Sequence, residues 1–243
     1  MKSKPSHLTL LWSVRALLTG VAALSALALT ASAQDFNKSF RVSGESSALE
    51  VINKKGSVTI VPGEGNQIVI TVRHVSAAAN ITTMQTPEGN VKVVVTGSAP
   101  VDFLISVPMH TALELLCYQC PITIKDVGGQ MRVSTTEGNI YLMGLRSPRV
   151  EAHSTSGNVS FKGDILPSGS YILKSFSGRV EATLPVSADF KLNASSFRGG
   201  MDLAGFRMSF NRQTDKVVEG ICGTGRASIH LWTQEGSIRL KQK

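Results

Sequence analysis

Two cysteines, Cys117 and Cys120, stand in a C-x-x-C spacing within the stretch LLCYQCPITI. This spacing is used by thiol–disulfide enzymes and supplies half of many zinc sites. A redox centre would need a thiolate exposed at a helix start or beside a positive charge, and zinc would need two further soft ligands. Neither context is visible around the pair. Cys222 is the third cysteine, and a disulfide between Cys120 and Cys222 is left open by the sequence.

Two acidic residues form the second set that could do chemistry. Glu181 and Asp202 occupy equivalent positions in consecutive copies of the repeat described below, so they are expected to be like-charged neighbours on an outer surface. A close pair of carboxylates can act as acid and base or bind a cation. A solvated face is the simpler interpretation of the same residues. Glu181 and Asp202 therefore form a tentative surface site.

The remaining chemical signals are weak. The histidines beyond the N-terminal segment are scattered and lack metal-ligand spacing: His74, His110, His153 and His230. No serine lies in a nucleophile motif, and the glycines of EGICGTGRASI precede a strand pattern instead of a phosphate-binding helix. The sequence therefore predicts no catalytic residue, no cofactor and no metal.

A repeated pattern organises most of the chain. The segments TTEGNIYL, STSGNVSF, SFSGRVEA and TQEGSIRL share a glycine followed by alternating apolar residues, and KKGSVTI, TPEGNVKV and FRGGMDL fit the same frame. The seven glycines are Gly56, Gly89, Gly138, Gly157, Gly178, Gly199 and Gly236. Apolar residues alternate on both sides of each glycine. This pattern predicts two short strands joined at a corner that needs the permissive backbone of glycine.

The spacing of these corners selects the architecture. From Gly138 to Gly199 the corners recur every 19 to 21 residues, which is typical of a solenoid. The prediction is an all-β, single-stranded parallel β-solenoid, similar to a β-helix, in which each turn stacks on the preceding one. Longer intervals after Gly56 and after Gly199 predict irregular longer turns at both ends. The terminal lysines Lys241 and Lys243 are expected to block strand addition. A β-sandwich with similar strands is the alternative.

The C-x-x-C fits the same repeat. With Cys120 at the glycine position, four apolar residues take the alternating positions around it: Leu113, Leu115, Ile122 and Ile124. Cys117 then falls three residues before the corner, where the other turns carry Thr86, Thr135, Ser154, Ser175, Ser196 and Thr233. Cysteine is close to serine in size and behaves as a small buried hydrophobe. We therefore predict that Cys117 belongs to an inward ladder and that Cys120 marks a hidden corner.

The N-terminal segment is typical of an export signal. Basic residues precede the apolar run ALLTGVAALSALALT, and the small residues of 31–33 form a cleavage site. The prediction is a signal peptide at residues 1–33 and a single β-solenoid domain at residues 34–243, exported to the periplasm, the cell surface or the medium. No transmembrane anchor is expected after cleavage. The formal net charge of +8 is scattered along the chain, which favours acidic surface polymers over nucleic acid as partners.

The glycine-cornered turns, the run VDFLISVP and the ending GTGRASIHLWTQEGSIRL together resemble a bacterial family of exported β-strand-repeat proteins. That family is described as putative adhesins or as a domain of unknown function. The resemblance covers roughly residues 40–243, and the third corner departs from it because Cys120 and Pro121 replace the usual glycine and its follower. It implies a solenoid-like fold, a cell-envelope location and no established reaction.

These observations predict a noncatalytic interaction or scaffold protein of the cell envelope. Its expected partner is an envelope polymer or an envelope protein. The alternative is a polysaccharide-active enzyme, a lyase or a hydrolase, that would use an outer face of the solenoid around Glu181 and Asp202.

Overall fold

The alternating apolar residues form β-strands throughout the part of the chain that the structure describes. The computed structural model describes residues 36–43, 47–74 and 78–243, and the predicted signal peptide at residues 1–33 lies outside them. The described residues form twenty strands, and among them no helix is long and apolar enough to cross a bilayer. The predicted all-β class is confirmed.

The strands form two sheets, which we call the pre-corner sheet and the post-corner sheet. In spatial order the pre-corner sheet contains β4 (Ala79–Gln85), β5 (Val91–Gly97), the first half of β2 (Ala48–Pro62), β7 (Ala112–Gln119), β9 (Met131–Glu137), β11 (Arg149–Ser156), β13 (Ser170–Ser177), β19 (Ala227–Thr233), β15 (Phe190–Ser196), β18 (Val217–Cys222) and β17 (Ser209–Gln213). The post-corner sheet contains β1 (Phe36–Arg41), β3 (Gln67–His74), β6 (Val101–Val107), the second half of β2, β8 (Ile122–Lys125), β10 (Ile140–Leu145), β12 (Val159–Gly163), β14 (Val180–Leu184), β20 (Ile238–Gln242) and β16 (Met201–Asp202).

A pre-corner strand and the post-corner strand that follows its corner make one rung of the stack. In the middle of the molecule the four rungs β7/β8, β9/β10, β11/β12 and β13/β14 follow one another in the order of the chain, through parallel pairing. The predicted stacking of each turn on the preceding one is therefore confirmed for this part. The mostly parallel stack is consistent with the predicted solenoid.

The stacking order differs from the chain order at both ends. Strand β2 pairs with β7 and β8 on one side and with β5 and β6 on the other, so the β2 rung is enclosed by two later rungs. At the C-terminal side, the β19/β20 rung lies between β13/β14 and β15/β16. The expectation that Lys241 and Lys243 end the stack is wrong, because β20 is an interior strand.

The turns at both ends are longer and irregular, as predicted, and their long intervals contain extra antiparallel strands. Strands β3 and β4 follow β2, while β17 and β18 follow β16. Gly89 is one corner prediction that the structure corrects. It lies in the hairpin between β4 and β5, with a φ of 87° and its N–H donated to the carbonyl of Thr86 at 2.9 Å. The residue that stacks on Gly56 in the β5/β6 rung is Val101.

The space between the two sheets is filled by the inward side chains. Apolar residues from both sheets are buried, and the largest completely buried ones include Phe103, Phe161, Tyr171 and Phe190. The hydroxyl of Tyr171 donates to the carbonyl of Ser147 at 2.7 Å and accepts the N–H of Leu166 at 2.8 Å. Every inward position is thereby committed to packing, which leaves the outer faces for function.

The corners require glycine because successive rungs approach closely there. A Cβ on Gly157 would lie 2.1 Å from the carbonyl oxygen of Gly138, and a Cβ on Gly178 would lie 2.1 Å from that of Gly157. The same clash would occur at Gly138, Gly199 and Gly236. A real Cβ cannot occupy such a position without moving the backbone of the neighbouring rung.

The predicted ladder of small polar side chains is a row of hydrogen bonds that buried hydroxyl groups donate. The hydroxyl three residues before each corner donates to the corner carbonyl of the neighbouring rung. These bonds are Thr135 to Cys120 at 3.0 Å, Ser154 to Gly138 at 2.9 Å, Ser175 to Gly157 at 2.7 Å, Thr233 to Gly178 at 2.8 Å and Ser196 to Gly236 at 2.9 Å. Thr86, which was predicted to belong to the ladder, is exposed in the β4–β5 hairpin, and Asn53 fills the place in the β2 rung.

Proline is tolerated directly after the Cys120 corner. In other rungs, the backbone N–H of the residue at this position bonds to a side chain and not to the backbone of the neighbouring rung. At the equivalent position, the N–H of Asn158 donates to the side chain of Asn139 at 2.8 Å, and the N–H of Arg179 donates to that of Asn158 at 2.8 Å. Pro121 has no N–H to donate. The carbonyl of Pro121 still accepts the N–H of Val58 at 3.1 Å, so the backbone ladder continues.

Candidate functional site

The three cysteines are buried and free, so none is exposed to react as the C-x-x-C motif alone would suggest. Cys117 and Cys120 take the predicted ladder and corner positions. A hydrogen bond to Cys120 and burial raise the pKa of the Cys117 thiol, which disfavours the nucleophilic thiolate. Cys222 ends β18, where it pairs with Phe190, and it forms no disulfide with Cys120.

Glu181 and Asp202 are not neighbours in the structure. Strand β20 lies between their strands and places Arg239 opposite both of them. Arg239 Nε lies 3.4 Å from Asp202 Oδ2, and Lys241 Nζ lies 3.1 Å from Glu181 Oε1. The prediction of a like-charged pair is therefore wrong, because the inserted strand supplies a cation to each carboxylate.

The histidines do not gather into a metal centre. Within the described ranges, no group of three or more His, Cys, Asp or Glu side chains could hold a metal ion. His153 and His230 lie on the outer face of the pre-corner sheet, on β11 and β19. They are two rungs apart, with β13 between them.

A groove crosses the starts of five adjacent strands of the pre-corner sheet, and we call it the strand-start groove. It has a volume of about 530 Å³ and runs over β5, β2, β7, β9 and β11. Its charged lining residues are Glu50, Lys92, Glu114, Arg132, Arg149 and Glu151. Because neighbouring strands are about 4.8 Å apart, the groove is roughly 19 Å long.

Four of the six charged side chains of the groove form two ion pairs, and Glu114 and Arg149 have no ion-pair partner among the described residues. Lys92 Nζ lies 2.7 Å from Glu50 Oε1, and Arg132 Nε lies 3.3 Å from Glu151 Oε2. Glu114 stands between them, opposite Glu50 on one side and Arg132 on the other. All of these side chains remain partly exposed, so the groove presents both signs of charge along its length.

A second feature of the same face is a cluster that we call the Lys174 patch: His153, Lys174, His230 and Trp232. Lys174 lies opposite His153 on one neighbouring strand and opposite Trp232 on the other. Among the described residues, Lys174 has no ion-pair partner. Burial, followed by the charge of Lys174, lowers the pKa of His230, and for His153 the charge of Glu151 opposes these two effects. At neutral pH the patch therefore combines one positive charge with two neutral imidazoles and an indole.

The sequence repeat accounts for part of this surface. The alternation of Glu114, Arg132 and Glu151 follows from the repeat, since their strands stack in chain order. It could not reveal Lys92 and Glu50 as a continuation of the same row, because β5 and β2 are out of order. The hydrophobic pattern alone carries no signal for that order.

Comparison with known proteins agrees with the predicted resemblance. Residues 122–241 match the family model described as Toastrack DUF4097. A structure titled as a putative cell adhesion protein from Clostridium sporogenes superposes with a TM-score of 0.51 at 13% identity, covering 86% of this chain and 100% of that chain. A putative adhesin from Bacteroides fragilis gives a TM-score of 0.43 at 10% identity, with coverages of 86% and 97%. None of the curated proteins matches the sequence. The structural likeness concerns the fold alone.

Proposed function

We propose that the protein, whose residues 122–241 match the family model described as Toastrack DUF4097, is an exported, noncatalytic β-solenoid of the cell envelope with an adhesin-like role. It binds an envelope polymer along the outer face of the pre-corner sheet. The structurally similar protein from Clostridium sporogenes, described as a putative cell adhesion protein, supports an adhesin-like role, and the description of the family names no reaction.

The strand-start groove is the observation that carries this proposal. It is open along its length, and it presents one charged side chain or more from each of the five strands that it crosses. A rigid stack holds these charges at a regular spacing, which suits a chain molecule with a repeating charged unit. Since both signs are present, the polymer that fits best carries acidic groups together with amino groups.

The Lys174 patch extends the same face toward the C-terminal rungs. Its unpaired ammonium favours an acidic group, and the indole of Trp232 offers an apolar surface on which a sugar ring can lie. Glu151 belongs to the groove and lies on the same strand as His153. A single extended polymer can therefore contact both features.

Binding to isolated envelope polymers tests the proposal. The protein purified after export is expected to cosediment with peptidoglycan or an acidic envelope polysaccharide at low salt, and less at high salt. Arg132→Ala should weaken binding several-fold, since it removes the central cation of the groove. Lys125→Ala is the matched control, because Lys125 is exposed on the post-corner sheet. If no envelope polymer binds the wild-type protein, the proposed function fails.

Polysaccharide cleavage at Glu181 and Asp202 is not favoured by the geometry. Each carboxylate is already paired with a cation from β20, and Arg239 separates the two. Two carboxyl groups that share one substrate bond must face a common space. The outer face of the pre-corner sheet is therefore the surface to which we assign function.

A further inference from the structure

One rung of the stack departs from the corner pattern at two positions at once. In the neighbouring β9/β10 rung, Thr135 precedes Gly138, and in the β11/β12 rung, Ser154 precedes Gly157. In the β7/β8 rung the ladder residue and the corner residue are both cysteine. Similarity in size to serine would explain cysteine at the ladder position of Cys117. It would not explain cysteine at the corner position of Cys120.

The other rungs show that these two positions touch. The ladder oxygen lies 3.1 Å from the place where a Cβ on Gly157 would be, 2.9 Å from that place on Gly178 and 2.9 Å from that place on Gly236. In a disulfide, a sulfur lies about 3 Å from the Cβ of its partner cysteine, as follows from the standard bond lengths and angles. The β7/β8 corner already holds the real Cβ of Cys120, so we expect a similar separation between that Cβ and the sulfur of Cys117, which is the separation that a disulfide requires.

The two thiols are in contact with each other and are shielded from water. Cys117 is 4% exposed and Cys120 is 0% exposed. The neighbouring Cys120 thiol raises the pKa of the Cys117 thiol, and the Cys120 thiol donates to the carbonyl of Asn53 at 3.7 Å. The buried side-chain oxygen of Asn53 has no hydrogen-bond partner. The polar ladder is thus interrupted at this rung, where the thiols replace a hydroxyl that would have continued it.

We propose that Cys117 and Cys120 form a disulfide across the corner when the chain folds in an oxidising compartment. The oxidant is a disulfide, R–S–S–R, of a small thiol or of a thiol-exchange protein. One cysteine thiolate attacks a sulfur of the oxidant, which releases the first R–S⁻. The second thiolate then attacks the mixed disulfide and releases the other. The balance is two cysteine thiols and one R–S–S–R converted to one Cys117–Cys120 disulfide and two R–SH, with both protons passed to the released thiolates.

The bond forms before the rung closes. In the unfolded chain both thiols are exposed and have the ordinary reactivity of cysteine. Once the rung is packed, the neighbouring Cys120 thiol and burial raise the pKa of Cys117, so the folded dithiol reacts slowly. The same burial protects a completed disulfide from reductants. This inference concerns the interior of the stack and does not depend on the proposed binding function.

Oxidative refolding with glutathione tests the disulfide directly. The protein purified after export is unfolded, refolded in a mixture of oxidised and reduced glutathione, and digested without reduction. Chymotrypsin cleaves after Tyr118, between the two cysteines, so the two resulting peptides remain joined only if Cys117 and Cys120 are bonded. The expected product is this linked pair with Cys222 as a free thiol. The thermal midpoint should exceed that of protein refolded with a reductant by roughly 5 °C.

Three single variants distinguish the stability that comes from the disulfide from the stability that comes from packing of the cysteine side chains. Cys222→Ser should keep both the linked peptides and the shift in midpoint. Cys117→Ser restores a ladder hydroxyl, and it should fold but lose the shift; Cys120→Ser should lose it as well. Separate peptides after oxidative refolding, or a bond from Cys222 to either partner, would overturn the proposal. An equal midpoint for the oxidised and the reduced protein would overturn the stabilising role.

Discussion

The middle of the molecule and its two ends are built from the same rung by different assembly rules. In the middle, from β7 to β14, each rung stacks on the one before it along the chain. At the ends, the β2 rung and the β19/β20 rung are enclosed between rungs from other parts of the chain. Pairing between rungs that are consecutive in the chain closes only short loops. Each enclosed rung must instead pair with segments far away in the sequence, which costs more loop-closure entropy.

This difference shows how a stack of rungs can avoid unpaired strand edges at its two ends. A simple coil would end in a first and a last rung with one unpaired edge each. Here the first and last rungs along the chain are held on both sides. The outermost parallel strands of the stack, such as β6 and β15, pair further with antiparallel strands. The enclosed rungs therefore gain two interfaces, at the cost of non-local pairing.

Removal of β20 is the strongest test of this comparison. A chain that ends at Glu235 would lose Ile238 and Leu240, which are buried between the sheets and contribute about 4 kcal/mol together. It would also separate β14 from β16, so we expect loss of cooperative unfolding in urea and rapid proteolysis. A truncated protein that unfolds with the wild-type midpoint would show that β20 is not an interior strand.

A methyl group at a corner should have the next largest effect. Gly157→Ala places a Cβ 2.1 Å from a backbone oxygen in the middle of the stack, and Gly236→Ala places one 1.8 Å from a backbone oxygen in the enclosed rung. We expect each to lower the free energy of unfolding by about 3 kcal/mol, as measured by urea denaturation. Gly200→Ala is the control, because nothing lies within 4 Å of its Cβ position.

The two corner variants also sharpen the comparison between the regions. Gly157 lies between rungs that follow one another in the chain, whereas Gly236 lies between rungs from distant segments. If the enclosed rung closes last, Gly236→Ala should mainly speed unfolding or leave a partly folded species. A control that is as unstable as the two corner variants would refute the clash as the cause.

Loss of one ladder hydroxyl should cost less. Ser154→Ala removes the 2.9 Å bond from this buried hydroxyl to the carbonyl of Gly138 and leaves that carbonyl oxygen without its side-chain donor. The expected loss is about 1 to 2 kcal/mol in the free energy of unfolding. Ser156→Ala is the matched control, because Ser156 is an exposed serine of the same strand. Equal effects of the two substitutions would mean that the ladder bond adds no stability.

The sequence was sufficient wherever structure is decided by neighbours in the chain. Alternation around Cys120 placed Leu115 and Ile122 in the core and located a corner that has no glycine. It failed at Gly89, because TPEGN satisfies a local glycine pattern that a hairpin shares with a rung corner. It failed again for Asp202, because the position of Arg239 depends on which distant rungs pair.

The candidate site also has one part that the sequence predicts and one part that it does not. The row from Glu114 to Glu151 crosses rungs in chain order, so the repeat alone predicts its charge alternation. The continuation through Glu50 and Lys92 needs the enclosed β2 rung. Alternation fixes which face a side chain occupies, whereas the identity of a parallel partner depends on packing between segments far apart in sequence.

The connection that leads into the enclosed β19 provides the most subtle test, through its pH dependence. The Asp189 carboxylate accepts the Thr224 hydroxyl at 2.7 Å and the backbone N–H groups of Thr224 and Gly225 at 2.9 and 2.6 Å, and it pairs with Arg226 at 2.9 Å. These bonds, the Thr224 hydroxyl first, hold the pKa of Asp189 well below its ordinary value. The middle rungs have no comparable anchor among their short described connections.

A carboxyl group whose pKa is lower in the folded state stabilises the protein above its unfolded pKa of about 4. This contribution is lost as the pH falls below that value toward the folded pKa. Asp189→Asn should therefore lower the urea midpoint at pH 7 and should approach the wild-type midpoint in acid. Asp215→Asn, in the exposed turn between β17 and β18, is the control and should show no such convergence. A difference between Asp189→Asn and the wild type that stays constant from pH 7 into acid would mean that the carboxylate charge does not secure the enclosed rung.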